Sequence, residues 1–207
     1  MKTWSRKKRW LVGVTACLGF ILLTVVGGSF VIGFFNLFHA HEHCSKVLGS
    51  FFRQYASIHD GKYPVHTNGF GDALLLLVKD DDHSFVRHLV APGDDGKMMR
   101  ECLEKNLDVP EDKCSRIYIQ GLAETNTYDS VALVFDAYPT PGGDHFRCPW
   151  GKPTRDVVMA DGSVQFIHES RWPAFAQEQI ERLVQLGLKR DELEKLFGVR
   201  SKESFPK

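Results

Sequence analysis

The stretch DVVMADGSVQFI, from Asp156 to Ile167, has an apolar run on either side of an Asp-Gly pair. Val157–Met159 leads into the pair and Val164–Ile167 leads out of it. A two-residue Asp-Gly loop suits a type I′ turn, in which both central residues take positive φ. We therefore predict a β-hairpin with Asp161 and Gly162 at its tip. The competing hypothesis makes Asp161 a catalytic carboxylate.

Two more segments of β character precede this hairpin. They are RIYIQ, which begins at Arg116, and SVALVFDA, which begins at Ser130, and both are rich in β-branched and aromatic residues. With the two arms of the hairpin they predict an antiparallel sheet of about four strands. The segment YPTPGGDHFRCPWGKP, residues 138–153, is rich in Pro and Gly and predicts a long connecting loop.

Helical patterns lie on both sides of the strands. Upstream, apolar residues recur three and four apart and predict an amphipathic helix that ends at DGKYP; they are Cys44, Val47, Leu48, Phe51, Phe52, Tyr55 and Ile58. Two short helices should follow, one capped by Asp72 and running through Val78, and one over KMMRECLEKN. Downstream, WPAFAQEQIERLVQLGL and RDELEKLFG predict two C-terminal helices. The fold class expected is α+β.

The N-terminus has the pattern of a membrane anchor. Five Lys or Arg residues fall within the first nine positions, and residues 10–38 contain no charged side chain. The apolar run exceeds the roughly 20 helical residues that cross a bilayer and is longer than the apolar region of a cleaved signal peptide. We therefore predict an uncleaved signal anchor in the cell inner membrane, with a cytoplasmic N-terminus and an extracytoplasmic domain.

This prediction divides the chain into four parts. Residues 1–9 form a basic cytoplasmic leader and residues 10–38 a single transmembrane helix, which makes the membrane itself a partner. Residues 39–170 form the exported α+β domain, and residues 171–207 a C-terminal helical extension.

The charges and cysteines fit an exported domain. Lys plus Arg equal Asp plus Glu at 26 each, so the net charge gives no attraction to nucleic acid. Cys17 falls in the membrane run, which leaves Cys44, Cys102, Cys114 and Cys148 as disulfide candidates. Cys102 and Cys114 flank one short loop and are the favoured pair, which leaves Cys44 with Cys148. The alternative is that some are reduced core residues.

Three segments in this order resemble type IV pilins and type II secretion pseudopilins. HCSKVLGSFFRQYASIHDGKYP is similar to their Cys-containing, Leu-rich helix before Tyr-Pro, and RIYIQGL is similar to their Tyr-containing strand before Gly-Leu. VALVFDAYPTPGGDHFRCPWGKPTRDVVMADGSVQFI resembles their C-terminal module, in which a strand leads to a His and then to an Asp-Gly hairpin. Coverage is about residues 10 to 170.

The resemblance implies a long helix packed on the small sheet. It gives Asp161 and Gly162 a structural role at the hairpin tip, and it makes His145 a loop residue that bonds to the hairpin backbone. It also implies a structural or interaction protein of a type II secretion or envelope system, with protein partners that include other pilin-like subunits.

The N-terminus departs from the pilin pattern. The only Gly-Phe pairs in the apolar run are Gly19-Phe20 and Gly33-Phe34, and no Glu follows either pair at the fifth mature position. The insertion CPWGKP also separates His145 from Asp161 by sixteen residues. The sequence therefore leaves open whether the chain is a filament subunit or a permanent anchor.

A metal site is the main alternative function. HAHEHC places His39, His41, Glu42, His43 and Cys44 together, and zinc accepts such ligands. On a continuous helix only His39 with His43 share a face cleanly, so a polar collar is the favoured interpretation. The alternative is an anchored metal-binding factor that uses this collar and the His145 loop.

No other motif predicts catalysis or a cofactor. The acidic groups Asp80–Asp82 and Asp94–Asp95 lack the ligand spacing of a calcium loop and are interpreted as solvated surface. His145 with Asp144 is the best catalytic candidate, but no nucleophile motif accompanies it. We therefore predict that the protein is not an enzyme and has no cofactor.

Overall fold

The computed structural model describes residues 45–78, 83–124, 131–141 and 152–198, and within them the fold is α+β, as predicted. The α-helices are residues 45–58 (α1), Phe70–Leu75 (α2), Lys97–Lys105 (α3), Trp172–Gln185 (α4) and Arg190–Phe197 (α5). The strands are Arg116–Tyr118 (β1), Ala132–Asp136 (β2), Thr140–Pro141 (β3), Pro153–Met159 (β4) and Val164–His168 (β5). Short 3₁₀ turns cover His83–His88, Glu111–Lys113 and Glu169–Arg171.

The sheet is antiparallel throughout. β3 continues β2 along the same edge of β4, so the five strands make a sheet four strands wide, in the order β1, β2, β4, β5. The predicted width is therefore confirmed. β3 lies in the segment that was expected to be only a loop, and two pairs of residues, Thr140 with Thr154 and Pro141 with Pro153, place it there.

Helices cover both faces of the sheet. α1 packs on one side, which we call the helix face, where the rings of Phe52 and Tyr118 lie 4.9 Å apart. α4 and α5 pack on the other side, the outer face, where Phe135 lies 5.3 Å from Trp172 and 4.6 Å from Phe197. Because successive residues of a strand point to opposite faces, a sheet covered twice needs continuous apolar runs. Every residue of β2 is accordingly buried.

The buried stripe of α1 differs from the predicted stripe. Leu48 and Phe52 are buried as expected, but Ile58 is 74% exposed and Phe51 is only half-buried, with its ring edge-on to Phe85. Gly49 and Ala56 are buried instead. Small residues thus share the buried face with Leu48 and Phe52. They allow a close approach, as at Gly49, that a search for large apolar side chains does not detect.

Two acidic groups have local structural roles. Asp72 does not cap α2, because the helix begins earlier, at Phe70, whose N–H donates to Glu111 Oε1 (2.7 Å). Asp72 Oδ1 instead accepts from the N–H of Val109 at 2.9 Å. At α3, Asp94 and Asp95 accept from the N–H groups of Gly96 (2.9 Å) and Lys97 (2.8 Å).

Candidate functional site

A cluster of four buried polar residues joins α1 to the sheet. Ser45 lies in the first described turn of α1, Arg116 in β1, Asp136 in β2 and Asp156 in β4. We call them the Arg116 cluster. All four are buried, and Asp136 is 0% exposed. Antiparallel register pairs Arg116 with Asp136 across neighbouring strands, so the pleat directs both side chains to the helix face.

Hydrogen bonds link the four residues in a chain. Arg116 Nε donates to Asp136 Oδ1 (3.2 Å) and Arg116 Nη2 donates to Ser45 Oγ (3.0 Å). Ser45 Oγ in turn donates to Asp156 Oδ2 at 3.0 Å. The N–H of Asp156 donates to Asp136 Oδ2 at 3.2 Å, and Arg116 Nη1 donates to the carbonyl of His88 at 2.9 Å. One guanidinium therefore connects α1, two strands and the turn that ends at His88.

The electrostatics of the cluster oppose ionisation of Asp136. Burial is the largest cause and raises the pKa of Asp136 to about 7, the nearby Arg116 lowers that pKa, and the negative charge of Asp156 raises it. Arg116 bonds to Asp136 directly and reaches Asp156 through Ser45. Because a buried charge is costly to leave without its partner, these bonds favour one position of the Ser45 turn of α1 on the sheet.

The predicted hairpin contacts α1 at Gly49 and Arg53. A Cβ added to Gly49 would lie 3.1 Å from the carbonyl oxygen of Gly162, so the helix and the hairpin backbone are in contact there. The guanidinium of Arg53 lies over Gly162, about 3.0 Å from where its Cβ would be. Tyr63 donates its hydroxyl to the carbonyl of Ala160 at 2.7 Å, and burial raises the pKa of Tyr63 to about 12.

The hairpin is confirmed, but the predicted type I′ turn is wrong. Gly162 has φ +81°, whereas Asp161 is not among the residues with positive φ. The N–H of Gly162 donates to the carbonyl of Met159 (2.9 Å) and the N–H of Met159 donates to the carbonyl of Ser163 (2.8 Å). This is the pattern of a three-residue loop that ends in a left-handed Gly. Asp161 Oδ1 accepts from the N–H of Ser163 at 2.7 Å and so closes the turn.

The outer face has a second buried cation. Arg155 donates from Nε and Nη2 to both carboxylate oxygens of Glu169, at 3.0 and 3.1 Å. Its guanidinium lies 4.5 Å from the ring centre of Trp172, and Nη1 donates to the carbonyl of Ala137 at 2.6 Å. Arg155 therefore ties β4 to the start of α4.

The remaining predicted site residues are dispersed or lie outside the described residues. Cys102 and Cys114 are buried thiols, so the predicted disulfide between them is absent from the structure. Cys102 Sγ lies 3.6 Å from the carbonyl of Asp108 and Cys114 Sγ lies 3.6 Å from that of Pro110. The residues outside are His39, His43, Cys44, Asp80–Asp82, Asp144, His145 and Cys148, together with the predicted anchor and its basic leader.

Two further findings concern the described residues alone. No helix within 45–78, 83–124, 131–141 or 152–198 is long and apolar enough to cross a membrane. The same ranges hold no group of three or more His, Cys, Asp and Glu side chains placed to bind a metal ion.

Sequence reasoning missed the Arg116 cluster. Asp156 opens the quoted hairpin stretch, while Arg116 begins RIYIQ and Asp136 lies near the end of SVALVFDA. The available signal was a charged residue directly beside each of three apolar runs, because a charge in a buried strand requires a partner.

Comparison of the chain with protein-family models, with curated proteins and with solved structures found no match.

Proposed function

We propose that the protein is a membrane-anchored, extracytoplasmic structural or interaction protein of the pilin-like type, and that it is not an enzyme. In this proposal residues 10–38 form a single-pass anchor in the inner membrane. Residues 39–170 form the head, which α4 and α5 extend, and the head is presented to protein partners of a type II secretion or envelope system.

One observation carries this proposal: α1 is fastened to an antiparallel sheet at two places. Ser45 bonds within the Arg116 cluster, and Gly49 and Arg53, further along the helix, meet the Asp161–Gly162 hairpin. Only residues 39–44 separate the apolar run from Ser45. A helix fastened in this way suits a protein in which a membrane-proximal segment carries a rigid head.

The buried charges support a structural role over a catalytic one. Asp136 and Asp156 are 0% and 2% exposed and already accept hydrogen bonds from Arg116 and Ser45. Asp161, the other catalytic candidate, bonds to the backbone of its own turn. A catalytic carboxylate needs access to a substrate, and these three are engaged in holding helix, strand or turn.

The anchor and its processing can be tested together. Native membranes would be extracted with carbonate, and the intact mass and the N-terminal residue of the protein would then be measured. We expect the chain to remain with the membrane. A chain that begins at Phe20 or Phe34 would identify a processed pilin-like subunit, and one that keeps its basic leader would identify a permanent anchor.

A matched pair of variants makes the result specific. Leu22→Arg together with Leu23→Arg should release the protein, because Arg near the centre of a bilayer helix opposes insertion. Leu22→Ile with Leu23→Ile should leave it in the membrane. Release of the wild-type chain by carbonate would contradict the proposal. So would cleavage within α4 by a protease that is present only on the cytoplasmic side of the membrane.

A further inference from the structure

One carboxylate oxygen of α2 is buried without a hydrogen-bond donor. Asp72 is 8% exposed, and its Oδ1 accepts from the N–H of Val109 at 2.9 Å. Its other oxygen, Oδ2, is buried and has no hydrogen-bond partner in the described parts of the chain. Because a buried carboxylate oxygen without a donor costs free energy, a neighbouring group that supplies a donor would stabilise the fold.

The ring of His66 lies next to this oxygen. His66 Nδ1 is 3.8 Å from Asp72 Oδ2, and the His66 side chain is 36% exposed, so its ring exchanges protons with water. Nδ1 accepts from the N–H of Asn68 at 3.3 Å, which requires a ring nitrogen that carries no hydrogen. Two acceptors therefore face each other at a distance too long for a hydrogen bond.

The backbone of His66 is held independently of its ring. The N–H of His66 donates to Gln120 Oε1 at 2.7 Å, and its carbonyl accepts from the N–H of Gly69 at 3.3 Å. The backbone thus presents Nδ1 to Asp72 from a fixed position. A small rotation of the ring about its side-chain bonds is enough to bring Nδ1 and Oδ2 within hydrogen-bond distance.

The neighbouring ionisable groups come from α3 and from the segment that follows it. They are two carboxylates, one ammonium and one thiol, namely Asp108, Glu111, Lys113 and Cys102. Asp108 Oδ1 accepts from the side-chain amide of Asn68 at 2.7 Å, and the charge of Asp72 reaches the thiol of Cys102. Negative groups outnumber positive ones here, so the surroundings favour a cation beside Asp72.

We propose that His66 and Asp72 form an acid-closed latch: a proton taken from water at His66 Nδ1 converts this nitrogen from an acceptor of the Asn68 N–H into a donor to Asp72 Oδ2. Only the N–H bond at Nδ1 forms, and it breaks when the proton returns to water. The hydrogen bond joins an imidazolium to a carboxylate and is therefore charge-assisted. The latch fastens residues 64–69 to α2. The inference does not depend on the proposed function.

The direction of the pH effect follows from the partners. Histidine ordinarily changes its charge between pH 5 and 8. Because the protonated ring gains the Asp72 carboxylate as a partner only in the folded chain, the latch adds stability at low pH. That stability is lost as the pH rises and Nδ1 becomes an acceptor again.

A double-mutant cycle on the full-length protein in detergent micelles would test the latch. His66→Gln, Asp72→Ala and the double variant would be compared with the wild type by urea unfolding at pH 5.5 and pH 8. We expect the coupling of the two positions to change the unfolding equilibrium constant about fivefold at pH 5.5 and less than about twofold at pH 8. The lost bond to Val109 cancels in the cycle. Equal coupling at the two pH values would overturn the inference.

Asp108 provides the matched control. It is a neighbouring carboxylate that bonds to Asn68 instead of His66. In a cycle of His66→Gln with Asp108→Ala, we expect a coupling of less than about twofold at both pH values. A coupling as large as that of Asp72 would attribute the effect to the general charge of this region and would overturn the latch.

The wild-type protein alone decides the question if Asp72→Ala fails to fold. ¹⁵N NMR of the His66 ring identifies which nitrogen carries a hydrogen at each pH. We expect Nδ1 to carry no hydrogen at pH 8 and to carry a hydrogen-bonded one at pH 5.5. A neutral ring with its hydrogen already on Nδ1 at pH 8 would overturn the inference, because it would donate to Asp72 without an added proton. A ring that stays neutral at pH 5.5 would also overturn it.

Discussion

Gly49 of α1 lies against Gly162 of the β4–β5 hairpin, so that a Cβ on Gly49 would come within 3.3 Å of the Gly162 Cα and 3.1 Å of its carbonyl oxygen. The contact joins the first described helix to the last turn of the sheet. No larger residue fits there without moving the hairpin or the helix.

Substitution of Gly49 should therefore act through this contact. Gly49→Val is expected to lower the free energy of unfolding by about 1–3 kcal/mol, because the added carbons overpack a backbone contact. Ser50→Val, one position along on the exposed side, should change it by roughly 0.5 kcal/mol or less. Denaturant unfolding at pH 7 measures both variants, and equal losses would show that the helix–hairpin contact is not the cause.

Gly162 should resist substitution for a different reason. Its φ of +81° lies in the left-handed region, and a Cβ there also meets Arg53. We expect Gly162→Ala to cost about 1–2 kcal/mol. Gly187→Ala is the matched control, since Gly187 has φ +94° with open space around it. If Gly162→Ala lowers the unfolding free energy more than Gly187→Ala does, the difference measures the contact with Arg53. If it lowers the unfolding free energy less, the turn has relaxed around the added Cβ.

The hairpin was predictable because its signal is local. Two apolar runs around Asp-Gly define two strands and a reversal, whichever turn type forms. The loop length was not predictable, since Ala160 joins the loop only when Ser163 pairs with Met159 rather than with Ala160. The position of Ala160, inside the loop rather than at the end of β4, makes this a three-residue loop.

The Arg116 cluster depends on long-range register instead. Arg116 and Asp136 are 20 residues apart, and Ser45 lies 111 residues from Asp156. A shift of one residue in either strand pairing would send a charge to the opposite face. Local patterns identify each strand but do not specify which residues face each other, so the cluster emerged only with the structure.

The overall stability should depend on pH through Asp136. Because burial raises its folded-state pKa to about 7, the protonated form is favoured on folding. Its stabilising contribution is complete below the ordinary aspartate pKa of about 4 and is lost as the pH rises through about 7. We expect the unfolding free energy to fall by about one to a few kcal/mol between pH 5 and 8.5.

Asp136→Asn provides the comparison for this pH dependence. The variant lacks this carboxyl, so the difference between the two stability curves isolates Asp136 from every other titrating group. Denaturant unfolding at half-unit pH steps would supply both curves. Parallel curves would show that Asp136 does not change its protonation over this range.

Replacement of Arg155 even by Lys should lower the free energy of unfolding. Lys keeps the charge but cannot make the paired contacts to both Glu169 oxygens or lie flat on Trp172. We expect Arg155→Lys to cost about 1–3 kcal/mol in denaturant unfolding. Arg171→Lys, at an exposed position before α4, should be close to neutral. Equal effects would mean that the geometry of the Arg155 guanidinium contributes nothing.

The cysteines allow a direct chemical test of the missing disulfide. Cys102 and Cys114 are buried thiols in the structure, and burial, followed by the negative charge of Asp72, raises the pKa of Cys102. Since the thiolate is the reactive form, iodoacetamide should modify both slowly in the folded protein at pH 8 and rapidly in denaturant without reductant. Peptide mass mapping would follow each site. Cysteines that stay unmodified in denaturant until a reductant is added would instead be disulfide-bonded, as the spacing of Cys102 and Cys114 first suggested.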